Sequence, residues 1–283
     1  MIWPGNSEKR PVPAVILTID LEDPTGVYAP SGRYVQMTER LLSMFDETQR
    51  RATFFVTGQA AAAAPEMIRK IAALRHEIAW HTRNHVPLTL ETPQRFRQES
   101  RVDKDMLEQL CGQEVAGFRA PCFSLTPKTM WAVDVLGETG FRYSSSIMPT
   151  CFSLFGFPRA PSMPFLWPNG LAEFPLPVAG AGFLRIPYLG GVYLYSMPFF
   201  LVTRWLKKAA SNECLWTYAH PFDFDAGAPF ERFPGVPLWI GLAMWMLRSK
   251  AESKIRRLCA FGGAGTLKDF LDSGKIVKRF DCN

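Results

Sequence analysis

Seven apolar runs recur along the chain with helix-period segments between them, and this alternation limits the fold more than any other feature. VILTID (15–20) reads as a buried strand, and residues 36–49 then place Met37, Leu41, Leu42 and Phe45 on one helical face. ATFFVT (52–57) is the next strand. PEMIRKIAAL follows, with Pro65 at a first helical position and Met67, Ile68 and Ile71 on the apolar side. HEIAW (76–80), VAGF (115–118), FRYSS (141–145), LAEFPL (171–176) and CLWTYA (214–219) continue the series of strands. Thr92-Pro93 opens a long helix with Thr92 as N-cap, Thr126-Pro127 repeats that start, and Gly140 is a helix stop. A proline-rich irregular stretch covers 149–168, and a further helix covers 198–210. Repeated βα units predict a parallel sheet with helices outside it, and seven of them predict a barrel. At 283 residues the chain can bury a large core as one such domain, with its centre over 14–225 and a helical extension over 226–283.

The polar residues that interrupt this pattern share a location. Asp20, His81, Arg119 and His220 end predicted strands, and Ser144 sits near the end of the fifth. Parallel α/β barrels build their active sites at the C-terminal rim of the strands. The histidines sharpen the point. The chain has four, and three of them (His76, His81 and His85) crowd into RHEIAWHTRNH (75–85), while His220 stands alone in WTYAHPFDFD. His76 begins a strand, away from the rim, and is expected to be structural. His81 and His85 are four residues apart, which puts both imidazoles on one side of a turn or short helix, where they can chelate Zn²⁺ or a similar ion. Asp20, Glu22 and Asp23 in TIDLED add carboxylates at the end of a buried strand, a costly place unless they meet a cation or a proton. Two histidines and one carboxylate leave a coordination position open, as in a catalytic metal site.

Composition excludes several other classes. The net charge of +6 is scattered rather than gathered into a stripe with interleaved aromatics, so no nucleic-acid partner is expected. Six cysteines form no CxxC and read as reduced thiols of a cytosolic protein. The N-terminus lacks the pattern of a secretory signal, and no run reaches the roughly 18 apolar residues of a membrane span. Residues 183–208 are nonetheless strongly apolar and aromatic. PLWIGLAMWMLRSKAESKIRR (237–257) sets apolar residues ahead of Arg248, Lys250, Lys254, Arg256 and Arg257. That arrangement suits peripheral association with an anionic inner membrane face, and equally an ordinary outer helix with a solvated basic side.

Taken together, these motifs resemble the polysaccharide deacetylase family, which has the NodB-homology domain of carbohydrate esterase family 4. TIDLED is similar to its aspartate motif, HTRNH to its His-[Ser/Thr]-x-x-His motif, FRAPCFS to its Arg-x-Pro motif, FRYSSSIMP to the motif after it, and YAHP to its final histidine motif. RATFFVTG and RHEIAWH match the family's running text, and the subgroup most similar is the bacterial one associated with exopolysaccharide and lipopolysaccharide. The resemblance covers roughly residues 14–225. It implies a distorted (β/α)7 barrel and metal-dependent hydrolysis of the N-acetyl group of an amino sugar. Carried over residue by residue, Asp20 resembles the base that deprotonates the attacking water, and His81 and His85 resemble two ligands of a divalent metal, Zn²⁺ first. Glu22 or Asp23 would supply the third ligand, because the family's adjacent aspartates are here Asp-Leu-Glu-Asp. Arg119 resembles the residue that orients the base and keeps it ionised, and His220 the acid that protonates the departing amine. The segment at Pro121 and Cys122 is expected to supply a backbone N–H for the oxyanion.

One departure stands out. Relatives carry an aspartate where this chain has Ser144, and Asp223, or failing that Asp225, is expected to replace it as the partner of His220. With no secretory signal, the resemblance points to a cytoplasmic enzyme acting on an N-acetylated glycan or a polyprenyl-linked saccharide. Two other readings stay open: a hydrolase of another amide or an O-acetyl ester, and a catalytically weakened glycan-binding module.

Overall fold

The computed structural model describes residues 14–23, 26, 28–29, 32–151, 155–209, 214–230, 232, 238–263, 265–276 and 278–280. The expected leaderless N-terminus, Cys282, and the predicted helix bounds at Ala210 and Pro237 lie outside the described residues. In chain order the elements are β1 (Val15–Leu21), α1 (Arg33–Glu47), β2 (Ala52–Val56), α2 (Gly58–Ala63), α3 (Pro65–Ala73), β3 (Glu77–Trp80), α4 (Pro93–Cys111), β4 (Gly117–Phe118), α5 (Trp131–Glu138) and β5 (Tyr143–Ser144). There follow β6 (Phe165–Leu166), β7 (Ala172–Glu173), β8 (Val178–Ala179), β9 (Ile186–Pro187), α6 (Gly191–Ser196), α7 (Phe199–Leu206), β10 (Leu215–Ala219), α8 (Leu238–Leu247), α9 (Ala251–Cys259) and α10 (Leu267–Asp272).

The main sheet has the order β10-β1-β2-β3-β4-β5-β7-β6. Its first seven strands are the seven expected from the apolar runs, all parallel, and β6 adds an antiparallel edge. The sheet curls into a half-barrel of the expected α/β class. Among the described residues no ladder joins β10 to the β6–β7 end. Instead the Trp216 indole N–H of β10 donates to the Pro175 carbonyl just beyond β7 at 3.1 Å, and Gly190 bridges to Tyr218.

Strand parity decides what faces where. Along β1, Val15, Leu17, Ile19 and Leu21 pack outward against the helices, while Ile16 points into the barrel. Period-two alternation therefore carries Thr18 and Asp20 inward as well. In β3, Ile78 and Trp80 face the helices and Ala79 the interior, so His81 enters from the inner side at the rim. In β10, Trp216 and Tyr218 face inward and His220 continues that row. Gly117 is required by packing: the Tyr143 ring occupies the space of a side chain there, 2.1 Å from where a Cβ would sit.

The barrel floor is closed by the C-terminal segment. Leu267 joins Ile16, Phe55 and Trp216 in the inner cluster, and Phe270 and Leu271 pack against it. Buried Glu77, its carboxyl pushed up by burial, accepts hydrogen bonds from Thr53 Oγ1, the Tyr143 hydroxyl and the Lys268 amide at this end.

Two helix expectations need correction. Pro65 does open α3, and Thr92 does cap α4 by accepting from the Arg95 N–H at 3.3 Å. Thr126-Pro127 does not start a helix. The Thr129 hydroxyl binds the Ser124 carbonyl and the Thr126 N–H, holding a turn, and α5 begins only at Trp131. The helix expected over 198–210 is shorter, Phe199–Leu206, and is preceded by α6.

Candidate active site

The rim gathers residues from four strands. Arg119, just past β4, is fully buried between the rings of Phe55 and Trp216, with its guanidinium carbon 3.9 and 4.4 Å from their centroids. A buried cation is tolerable only when paired and hydrogen-bonded. Arg119 meets both conditions: Nη1 donates to Asp20 Oδ1 at 2.6 Å and to Thr18 Oγ1 at 2.8 Å, while Nε and Nη2 donate to the backbone and side chain of Ser145 at 3.2 and 3.0 Å. Asp20 is thereby fixed by one oxygen, and its Oδ2 faces His220 Nε2 at 3.9 Å.

Beside this pair, Glu22, His81 and His85 bring one ligand atom each within 4.8 Å of one another. His81 Nδ1 lies 2.8 Å from the Arg119 carbonyl, so that nitrogen carries the proton and Nε2 turns its lone pair to Glu22 Oε2, 3.8 Å away. Burial pulls the His81 pKa down to about 4, which keeps the ring neutral, as a ligand requires. Burial opposes the charge on Glu22, yet His85, His220 and His81 outweigh it and hold the carboxyl at about 2. Glu22 Oε2 touches His85 Nε2 but is buried without a hydrogen bond of acceptable geometry. One carboxylate oxygen and two imidazole nitrogens turned to a common point are the donor set of a cation, so the residues present fit a divalent metal. Asp23 is not in this cluster; its amide donates to the Tyr28 hydroxyl at 3.3 Å.

His81 and His85 converge by a route that spacing alone did not show. They sit on a loop rather than a short helix, with ring centroids 5.0 Å apart. Thr82 and His85 both adopt left-handed backbone angles, φ +60° and +54°. The loop is held by the first amides of α2, Gly58 and Gln59, which donate to the Thr82 and Arg83 carbonyls at 3.0 Å. Arg83 also pairs with Asp103 of α4 at 2.5 Å, and Asp103 accepts from the Trp80 indole at 3.0 Å. Burial raises the Asp103 carboxyl to about 6 against the pull of Arg83.

On the other side, His220 stacks on Phe222 and lies 3.6 Å by Nε2 from Glu22 Oε1. Asp223 Oδ2 accepts from the His220 amide at 2.9 Å and from the Tyr195 hydroxyl at 2.8 Å, and meets His220 Nδ1 at 3.1 Å. Burial alone would lower the His220 pKa; Asp223, with Glu22 and Asp20, lifts it to about 9.

Comparison with known proteins follows the same division of the chain. Residues 7–143 match the family model Polysaccharide deacetylase, and residues 145–269 match Domain of unknown function (DUF3473). Over residues 7–143 the chain is similar to the polysaccharide deacetylase family. A chitooligosaccharide deacetylase of Bradyrhizobium sp. (strain ANU 289) is 31% identical over 102 residues, 36% of this chain and 44% of the relative. The chain thus spans less than half the length of that relative. A structure from Mycobacterium smegmatis, assigned as a polysaccharide deacetylase, superposes with a TM-score of 0.64 at 20% identity, over 100% of this chain and 96% of that one. One from Pseudomonas aeruginosa PAO1, also assigned as a polysaccharide deacetylase, gives 0.58 at 14% identity, over 92% and 89%. These likenesses show the fold.

The structure brings Asp20, Glu22, His81, His85, Arg119 and His220 together at the rim. Asp223 meets His220, whereas Asp225 is engaged elsewhere, in an ion pair with Arg33. Ser144 does not belong to the rim. It lies one residue out of step, on the opposite face of β5, where its hydroxyl donates to Ser146 Oγ at 2.8 Å and reaches the buried carboxylate of Glu173. Ser145 is the residue that meets Arg119. Sequence reasoning missed Glu173: it accepts from the Ser146 and Ile147 amides at 2.7 and 3.1 Å, and the Ser146 hydroxyl accepts from the Ala120 amide. The available signal was a lone glutamate in the apolar run LAEFPL.

Cys122 lies in a turn after Pro121 with a left-handed φ of +56°. Burial, reinforced by Glu22 and Asp20, pushes its thiol up to about 12, so it is a poor nucleophile. Part of the Cys122 residue nevertheless reaches the surface. The neighbouring carboxylates disfavour a thiolate in either setting. His76 is structural: Nδ1 accepts from the Ala52 amide at 3.1 Å, and burial holds its pKa at about 4. The five described cysteines are free thiols.

Proposed function

We propose that this chain is a metal-dependent hydrolase that removes the N-acetyl group from an amino sugar of a glycan or of a polyprenyl-linked saccharide precursor, the latter at the inner membrane face. The observation carrying this reading is the meeting of Glu22, His81 and His85 at one point, flanked by Asp20–Arg119 and by His220–Asp223. The two family matches meet at β5, and each half supplies rim residues, which supports one catalytic domain.

Glu22, His81 and His85 would hold the cation, and two imidazoles with a carboxylate suit Zn²⁺. When bound, the ion supplies Lewis acidity, polarising the acetamide carbonyl and acidifying a water. Asp20, with Oδ1 held by Arg119, takes the proton of the attacking water on Oδ2. The Cys122 N–H supplies a donor to the oxygen that becomes negative as the carbonyl carbon turns tetrahedral. His220 keeps Nδ1 on Asp223 and delivers a proton from Nε2 to the amine nitrogen as the C–N bond breaks. Acetate and a free amino sugar leave.

The test is a panel of soluble N-acetylated amino-sugar oligosaccharides, their O-acetylated counterparts and cyclic amides, assayed for acetate and for new primary amine. Equal release of acetate and amine supports the reading. Acetate without amine identifies an esterase, ring opening of a cyclic amide identifies an amidohydrolase of another kind, and glycan binding with no turnover identifies a binding module.

A further inference from the structure

Most of the large apolar side chains exposed among the described residues fall in one part of the chain, 183–246. At the tip of the β8–β9 hairpin Phe183 is 73% exposed and Leu184 62%; on α7 Phe200 is 69% exposed; on α8 Trp239 is 72% and Met246 67% exposed. These elements are neighbours. Tyr188, at the base of the hairpin, packs on Trp205 of α7 with ring centroids 5.2 Å apart, and α6, between the hairpin and α7, packs on α8. They also border the active site. The Trp245 indole of α8 donates to the Ala228 carbonyl at 3.2 Å, in the segment that leaves His220, and the hairpin follows the rim end of β7.

Charge points to what covers this surface. Phe200, Arg204, Lys207 and Lys208 recur at helical spacing, which puts a ring and three exposed cations on one side of α7, and Lys250 is exposed just beyond α8. The described acids of 176–251 are Asp223 and Asp225, both buried and engaged. Of the basic run after α8, Lys250 belongs to this surface, while three others are engaged within the fold. Lys254 donates to the carbonyls of Leu194, Tyr195 and Met197, Arg256 pairs with Glu47 and Glu252, and Arg257 lies over the Phe199 ring. A surface of exposed aromatics and cations that shows no exposed acid among the described residues of 176–251 complements an anionic lipid interface. Among the described residues no helix is long and apolar enough to cross a membrane. The ten residues of α8 extend about 15 Å, half the thickness of a bilayer core.

We propose that α8, the outer side of α7 and the β8–β9 tip form a docking surface for an anionic bilayer, which lies on the lipid without spanning it and turns the catalytic rim toward it. The proposal deepens the reading of a lipid-linked saccharide substrate, and it is tested without any substrate. The full chain is sedimented with vesicles of phosphatidylcholine, alone or with about one third phosphatidylglycerol. Binding is expected to the mixed vesicles only. Lys207→Gln/Lys208→Gln should weaken partitioning about 10–30-fold, at about 1 kcal/mol per basic residue near such a surface. Phe183→Ser/Leu184→Ser and Trp239→Ser/Met246→Ser, all at exposed positions, should each weaken it at least about tenfold. Unchanged melting temperatures would show that these variants fold. Failure to bind the mixed vesicles, or binding that none of the variants weakens, overturns the proposal. So does a dimer in light scattering that the same apolar substitutions dissociate, which would make the surface an interface between copies. Acetate release from soluble oligosaccharides is read separately, so loss of docking and loss of the deacetylase reading are distinguishable.

Discussion

Replacing Asp223 with Asn isolates the charge that sustains His220. Asp223 Oδ2 accepts from two groups of His220 and from Tyr195. An asparagine Oδ1 can occupy that place and accept from the same donors, so the geometry survives while the negative charge is lost. In the wild type His220 is raised from 6.5 to about 9, although burial acts the other way. Without Asp223, burial regains its weight and the pKa falls to the ordinary value or below. At pH 8 a group titrating near 9 is about 90% protonated, whereas one near 6.5 is about 3% protonated. An acid that must be protonated then loses about 30-fold in kcat/KM at pH 8 and less than about twofold at pH 6. Stability moves in parallel. A raised histidine pKa contributes stability that is fully present below pH 6.5 and lost as pH rises through about 9; here it amounts to about 3 kcal/mol, at 1.36 kcal/mol per pH unit between the two values. The variant should lack that pH dependence. With four histidines in the chain, imidazole NMR of the metal-free protein resolves the His220 titration directly. An unchanged His220 titration, or an activity loss of equal size at both pH values, refutes the reasoning.

Asp20→Asn should retain stoichiometric metal yet lose about a hundredfold or more in kcat, the scale of general-base catalysis, with metal analysis and initial rates as the readouts. Ser144→Asp should neither rescue Asp223→Asn nor raise wild-type activity. It buries a second carboxylate against Glu173 and should cost about 3 kcal/mol in denaturant unfolding. His76→Ala removes the acceptor of the Ala52 amide and the ring packed on Phe45 and Phe54, and should cost about 2–4 kcal/mol while leaving the activity of folded protein unchanged.

Much of this was legible because strand parity and motif position are written in the residue order. VILTID and HEIAW alternate with helical segments, and the polar residue following each inner-face row lands on the rim, as Asp20 and His81 do. Asp223 was legible because three residues beyond His220 is a short reach around one turn. The Ser144 expectation failed for the same physical reason that the others succeeded. In FRYSSS the serines are consecutive, and a step of one residue moves a side chain to the opposite face, so the sequence did not distinguish the serine that meets Arg119 from the one that meets Glu173. The choice between Glu22 and Asp23 depended on how the chain turns after β1, which no periodicity records. Thr126-Pro127 imitated a helix start because threonine serves a capped turn as readily as an N-cap. In the basic run after α8, Lys254 reaches backbone carbonyls and Arg257 a ring that are distant in sequence, which the charge pattern alone did not record.

The central claim is that Glu22, His81 and His85 hold the ion on which deacetylation depends. The most direct measurement is acetate release by metal-free protein titrated with Zn²⁺, run beside His81→Ala/His85→Ala. The account predicts no turnover before metal is added, a rise that saturates at one equivalent per chain, and neither uptake nor turnover in the folded double variant. Full activity in the metal-free protein, or stoichiometric uptake by the double variant, would contradict it.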